Sequence, residues 1–174
     1  MSVHFDVSKI SFFGLDDWSV AVCAWRGCCL EVFARAEHSM ADCLRTLAKS
    51  GVPLGKDARN PFAGNRIKAL QASIAQADFG GHGKVALRRI EDWERIYQAR
   101  APLAHAEIKA TAHGISVNHV TFDGKAEKRH PPKNYTRIEM LEMLANIESA
   151  QKALHHQLGQ IKALALKRTK PSPG

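Results

Sequence analysis

The 174-residue chain is long enough for one ordinary domain with a sizeable core, and its 45% hydrophobic and 24% charged residues match an average globular protein. No apolar run approaches the roughly 20 residues that cross a bilayer. The start, MSVHFDVSKISFFGLDDW, lacks the basic and apolar stretches of a secretory signal, so cytoplasm is expected and membrane partners are not. A net charge of +8, with a pI near 9.5, suits attraction to polyanions such as RNA or DNA, and equally suits a solvated surface.

The first helical signal follows GLDDW. Val22, Trp25, Cys29, Phe33, Ala36, Met40, Cys43 and Leu47 recur at steps of three and four, one buried stripe. Asp16 or Asp17 can cap its start, and Gly51 and Pro53 end it, which makes a helix of about 30 residues, longer than most. Cys23, Cys28, Cys29 and Cys43 all fall here without CxxC or zinc spacing. They read as small buried apolar residues in a reducing compartment.

A shorter helix is expected from near Pro61, with Ile67, Leu70 and Ile74 on its apolar face. DFGGHGK should break the chain, because three glycines in four residues cannot continue a helix cheaply. It is a poor phosphate loop, with no strand before it and no GK[ST] after it. A third helix should run from about Lys84 through Ala86, Ile90, Trp93, Tyr97 and Ala104 to Gly114 as a left-handed cap. ISVNHVTFDGKAEKRHPPKN then reads either as a short hairpin turning at Asp123-Gly124 or as an irregular basic loop. The last helix opens with a capping box, Thr136 and Glu139, flanked by Tyr135 and Met140 at staple positions. Leu141, Leu144, Ile147, Leu154, Leu158 and Ile161 follow at near-heptad spacing. The expected fold is all-α: an up-down bundle of four main helices, or five, over residues 1–165. The hairpin or basic loop lies at 115–133, and residues 166–174 form a disordered basic tail. Trp18, Trp25 and Trp93 read as core residues rather than as base-stacking platforms.

QARAPLAHAEIK, residues 98–109, holds a proline in the middle of a helical run. On a straight helix Arg100 and His105 would stand roughly 140° apart around the axis. Pro102 cannot donate to the Gln98 carbonyl and disfavours helical dihedrals at Ala101. The helix must kink or restart there, and a kink can turn both side chains toward one cleft.

The long first helix, the FARAEHSMADCLRTL segment, the Arg-x4-His pattern of RAPLAH and the long final helix together resemble the HEPN superfamily, over roughly residues 16–165. The resemblance implies a helical bundle, often a homodimer, that cleaves RNA without metal as a toxin or antiphage enzyme. It equally implies a non-catalytic module that binds RNA, a nucleotide or a partner such as a nucleotidyltransferase. Carried over, Arg100 and His105 are the catalytic pair. Active members commonly carry a polar residue after the arginine, where this chain has Ala101. No cofactor is implied, and an antitoxin is the further partner of the toxin reading.

The chemistry suits those residue types. Cleavage by the RNA 2′-hydroxyl needs a base, an acid for the leaving oxygen, and a cation for charge building on phosphorus. Histidine titrates near neutrality, and arginine can hold two phosphate oxygens. One protomer would supply one such histidine, and a two-fold dimer two. Glu37 in ARAEHS is an accessory candidate that would orient the pair, or else part of a solvated helix face. His113 is a second accessory candidate. No HxxxH or HExxH spacing appears, so no metal site is expected. Lys125, Lys128, Arg129, Lys133, Tyr135 and Arg137 could track a phosphate backbone; a solvated loop is the alternative.

Overall fold

The computed structural model describes residues 16–59, 62–123 and 126–168. Asp16 caps the first helix as expected: its Oδ1 accepts the Ser19 N–H at 2.7 Å, and its own carbonyl accepts from Val20 at 3.1 Å. That helix, α1 (Asp17–Lys49), runs for 33 residues and buries the expected stripe, from Val22 to Leu47. It ends at Gly51, whose φ of 74° only glycine adopts without strain. The Val52 N–H returns to the Leu47 carbonyl at 3.0 Å and the Gly51 N–H to Ala48 at 3.1 Å, closing the last turn. Of the four cysteines, Cys29 and Cys43 are buried, and Cys23 and Cys28 are exposed. Burial pushes the Cys43 thiol up to about 12, so it packs as an apolar group.

A short 3-10 turn (Lys56–Arg59) leads to α2 (Ala63–Gln76), which buries Ile67, Leu70 and Ile74. Pro61, the expected start, lies outside the described residues. The break after α2 is shorter than DFGGHGK suggested. Its glycines open the next helix, α3 (Gly80–Tyr97), rather than separating helices. Gly80 enters with φ 56°, and its N–H is taken by Asp78 Oδ1 at 3.0 Å. Gly83 is buried against Phe79, leaving 3.3 Å for a Cβ.

The larger correction follows α3. The helix expected to reach Gly114 stops at Tyr97, restarts as α4 (Arg100–His105), and gives way to strands. β1 (Glu107–Thr111), β2 (Gly114–Asn118) and β5 (Lys133–Thr136) form one antiparallel sheet in the order β1-β2-β5, while β3 (Val120–Asp123) and β4 (Ala126–Arg129) form a second. The fold is therefore mostly helical with two small sheets, and not an all-α bundle. β2 shows why: Ile115 and Val117 are buried on one face while Ser116 and Asn118 are partly exposed, the two-residue period of a half-buried strand. β1 is mostly exposed and is a strand through its partner, with Ile108 opposite Val117. Gly114 is no helix cap. It stands opposite Thr136, and a Cβ there would lie 2.8 Å from the Thr136 Cα and collide with the Tyr135 carbonyl. Within the 115–133 segment β3 and β4 pair as the expected short hairpin, Asp123 opposite Ala126, while β2 belongs to the other sheet; Gly124 of the turn lies outside the described residues.

The capping box is present at the start of α5 (Arg137–Arg168). Glu139 accepts the Thr136 N–H at 2.7 Å, and the Glu139 N–H donates to Thr136 Oγ1 at 3.2 Å. Met140, Ile147, Leu154, Leu158 and Ile161 are buried, whereas Leu141, placed on the stripe by its spacing, is 66% exposed. Among the described residues no helix is long and apolar enough to cross a membrane. Leu166, Lys167 and Arg168 of the expected 166–174 tail are the last residues of α5, and the remainder lies outside the described residues.

Contacts group the chain into two units, residues 16–31 with 99–146 and residues 32–98 with 147–168. In the second unit Phe33 meets Trp93 at 5.5 Å and Tyr97 edge-on at 5.9 Å. There Lys162 binds Asp42 at 2.5 Å and holds its carboxyl below the usual range. In the first unit Trp25 is buried and donates its indole N–H to the Met140 carbonyl at 2.8 Å. Trp18 is half-buried, so it is less of a core residue than expected. Its indole N–H reaches the Thr111 and Gly114 carbonyls at 2.9 and 3.2 Å, and the Arg137 guanidinium lies 4.0 Å from its ring centre.

Candidate active site

The site is built on α4 and the strands that follow it in the first unit. Pro102 is the third residue of α4, where a missing N–H leaves no helical bond unmade. The restart agrees with the sequence expectation, but its position differs. The break falls at Gln98 and Ala99, before Arg100, and the Leu103 N–H already donates to the Ala99 carbonyl at 3.1 Å. Arg100 and His105 therefore share one regular turn-and-a-half of helix, roughly 140° apart around its axis. The kink does not bend one toward the other.

α4 is held at its C-terminal end by a residue that sequence reasoning missed. The Arg26 Nε donates to the Leu103 carbonyl at 2.6 Å and its Nη2 to the Ala104 carbonyl at 2.8 Å. Two carbonyls at a helix end, both without helical donors, are natural partners for a guanidinium fork. Leu103 and Ala106 are buried beneath, which leaves His105 exposed between them.

His105 lines an open cleft of about 570 Å³ with Glu107, Asn118, His119, Val120, Arg129, His130 and Pro132. The His119 and His130 rings stack at 5.5 Å with 17° between their planes. The Thr121 hydroxyl bonds His130 Nε2 at 2.8 Å, and the His130 backbone N–H donates to the His119 carbonyl at 3.0 Å. Glu107 accepts from Asn118 at 3.3 Å and pairs with Lys109 at 3.3 Å. The Glu127 carboxylate, 2.5 Å from the Arg129 Nε, favours the charged guanidinium and raises its pKa. Three imidazoles, a cation and a carboxylate thus share one concave surface, a set that can hold an anion and move protons. Among the described residues no group of three or more His, Cys, Asp or Glu side chains is placed to hold a metal ion.

Of the residues singled out from sequence, only His105 and Arg129 line this cleft. Arg100, half-buried, opens α4 and is not among the lining residues. Glu37 belongs to the second unit, where it accepts from the Tyr97 hydroxyl at 3.0 Å and faces Arg66 at 3.6 Å. His113 is exposed at the tip of the β1–β2 hairpin, and β1 carries the chain about 14 Å away from the cleft end. Its carbonyl accepts the Arg137 N–H at 3.2 Å. Lys128 and Lys133 are exposed on β4 and β5, Tyr135 is half-buried opposite Ile115, and Arg137 covers Trp18. Lys125 lies outside the described residues. His119 and His130 were passed over, yet a signal for them existed. In a hairpin pairing Asp123 with Ala126 and Val120 with Arg129, the next pair outward is His119 and His130.

No protein-family model matches the chain, and no curated protein or solved structure matches it either.

Proposed function

We propose that the chain is an HEPN-like, metal-independent endoribonuclease of toxin or defence type, cutting RNA through the 2′-hydroxyl. His105 is its acid–base group, and Arg129, which lines the same cleft, its phosphate-binding cation; Arg100, the cation that the resemblance pairs with His105, lies outside that cleft. The observation that supports this reading is the exposed His105 in a cleft with two further imidazoles and Arg129. Such a set matches what 2′-hydroxyl attack requires: proton acceptor, proton donor and anion-binding charge. The purified protein should cut RNA in EDTA and leave 2′,3′-cyclic phosphate ends. His105→Ala and Arg129→Ala should each abolish cutting while melting within about 4 °C of the wild type. Cutting that survives both substitutions sinks the proposal.

A second reading is a non-catalytic RNA-binding module, with a nucleotidyltransferase or an antitoxin as its protein partner. It is favoured by Ala101 beside Arg100 and by the exposed Lys128 on β4 and Lys133 on β5. RNA binding without cutting would select it, and Ala101→Asn then tests whether a polar neighbour restores cleavage.

A further inference from the structure

We propose that His130 is the second catalytic group of the cleft, the general acid that works with His105 within one protomer. The inference rests on the ribonuclease reading above. Three observations carry it. Both imidazoles line the same open cleft. The His130 ring is held on two sides, by the Thr121 hydroxyl at 2.8 Å and by the His119 ring stacked at 5.5 Å. The segment that carries it is anchored by the His130 N–H to the His119 carbonyl at 3.0 Å.

The Thr121 contact also occupies one of the two ring nitrogens, Nε2. A hydroxyl both donates and accepts, so Nε2 keeps its partner whether the ring is neutral or charged. With Nε2 occupied by the Thr121 hydroxyl, Nδ1 is the ring nitrogen left to meet a substrate. The charged ring donates Nε2–H to Thr121, and the Glu107 carboxylate from β1 faces the same cleft. The other charged or titratable groups there are His105 from α4, His119 beside β3 and Arg129 from β4. In the reaction His105 takes the proton of the RNA 2′-hydroxyl as the O2′–P bond forms. The P–O5′ bond breaks, and His130 Nδ1 gives its proton to O5′. A cyclic phosphate and a 5′-hydroxyl leave, and exchange with water returns the two imidazoles to their starting states.

The test compares single-turnover cleavage of ordinary RNA with that of RNA carrying a bridging 5′-sulfur at the scissile bond. A thiolate leaves without an acid, so the sulfur substrate bypasses the proposed role. His130→Ala should lose about 10²–10⁴-fold on ordinary RNA and recover most of that rate on the sulfur substrate. It should also lose the limb of the pH–rate profile that reports the acid. Rescue excludes misfolding, since an unfolded variant cuts neither substrate. Thr121→Val, which keeps the imidazole, should shift that limb and retain cutting. If His130→Ala cuts ordinary RNA at the wild-type rate while His105→Ala is inert, this inference falls and the ribonuclease reading stands. If His130→Ala is equally slow on both substrates, or if His105→Ala is the variant rescued by sulfur, the assignment of His130 as the acid is overturned. A wild-type protein that does not cut RNA removes both.

Discussion

Gly114 opposes Thr136 across β2 and β5, at a point where the backbones leave no room for a methyl group. Gly114→Ala must push the strands apart, an overpacking cost of about 1–3 kcal/mol. In a chain of this size each kcal/mol lowers Tm by roughly 2–4 °C, so calorimetry should find a drop of several degrees. An unchanged Tm would mean that these strands do not pair in this register. Glu139 gives a different handle. The Thr136 N–H, and then the Thr136 hydroxyl, hold its carboxyl below its ordinary value of 4.5. A lowered folded-state pKa means that the contribution is complete above the unfolded value and lost as pH falls through the folded one. The urea midpoint should therefore decline below about pH 4.5, and Glu139→Gln should flatten that decline. Identical pH profiles for the two proteins would remove the capping contact.

α4 is too short to persist on its own, since helices below about 12 residues are marginal in water. What holds it is tertiary: buried Leu103 and the Arg26 fork on its last carbonyls. Arg26→Ala should cost about 1.5–3 kcal/mol, the usual range for hydrogen bonds from a charged donor. It should raise hydrogen exchange over 103–106 ahead of the rest of the chain. Uniform exchange across the molecule would contradict an anchoring role for Arg26. The same contrast explains what could be read from the sequence. α1 and the start of α5 were legible because their signals are local: Asp16, Gly51, and Thr136 with Glu139 act within six residues of themselves. β1 was not, because Ile108 falls four residues after Ala104 and so continues the helical spacing, and what makes this segment a strand is β2. β2 in turn needs β5, about 20 residues further on, and no local pattern announces that pairing. The cleft was hidden for the same reason. His105 was visible through its motif, but His130 reaches it only through the fold.

For the molecule as a whole, the source of the second histidine decides how activity depends on assembly. The homodimer proposed from sequence would bring two copies of His105 together, whereas the pair inferred above, His105 and His130, lines one cleft of a single chain. With the acid supplied within the protomer, the specific rate per chain should stay constant on dilution from micromolar to nanomolar, even where light scattering shows a dimer dissociating toward 19.2 kDa. A rate that falls in step with dissociation would place the second group on the other subunit. The cation over Trp18 has one more consequence, in optics. Of the three tryptophans, Trp25 and Trp93 are buried and Trp18 is half-buried beneath the Arg137 guanidinium. Its emission should be quenched by iodide, an anion drawn to that charge, more than by caesium, which is repelled. Trp18→Phe should abolish the difference. Its loss on mild denaturation would time the release of the β1–β2 hairpin, to whose carbonyls the indole is tied, so a cuvette and two salts can follow one corner of the fold without a label.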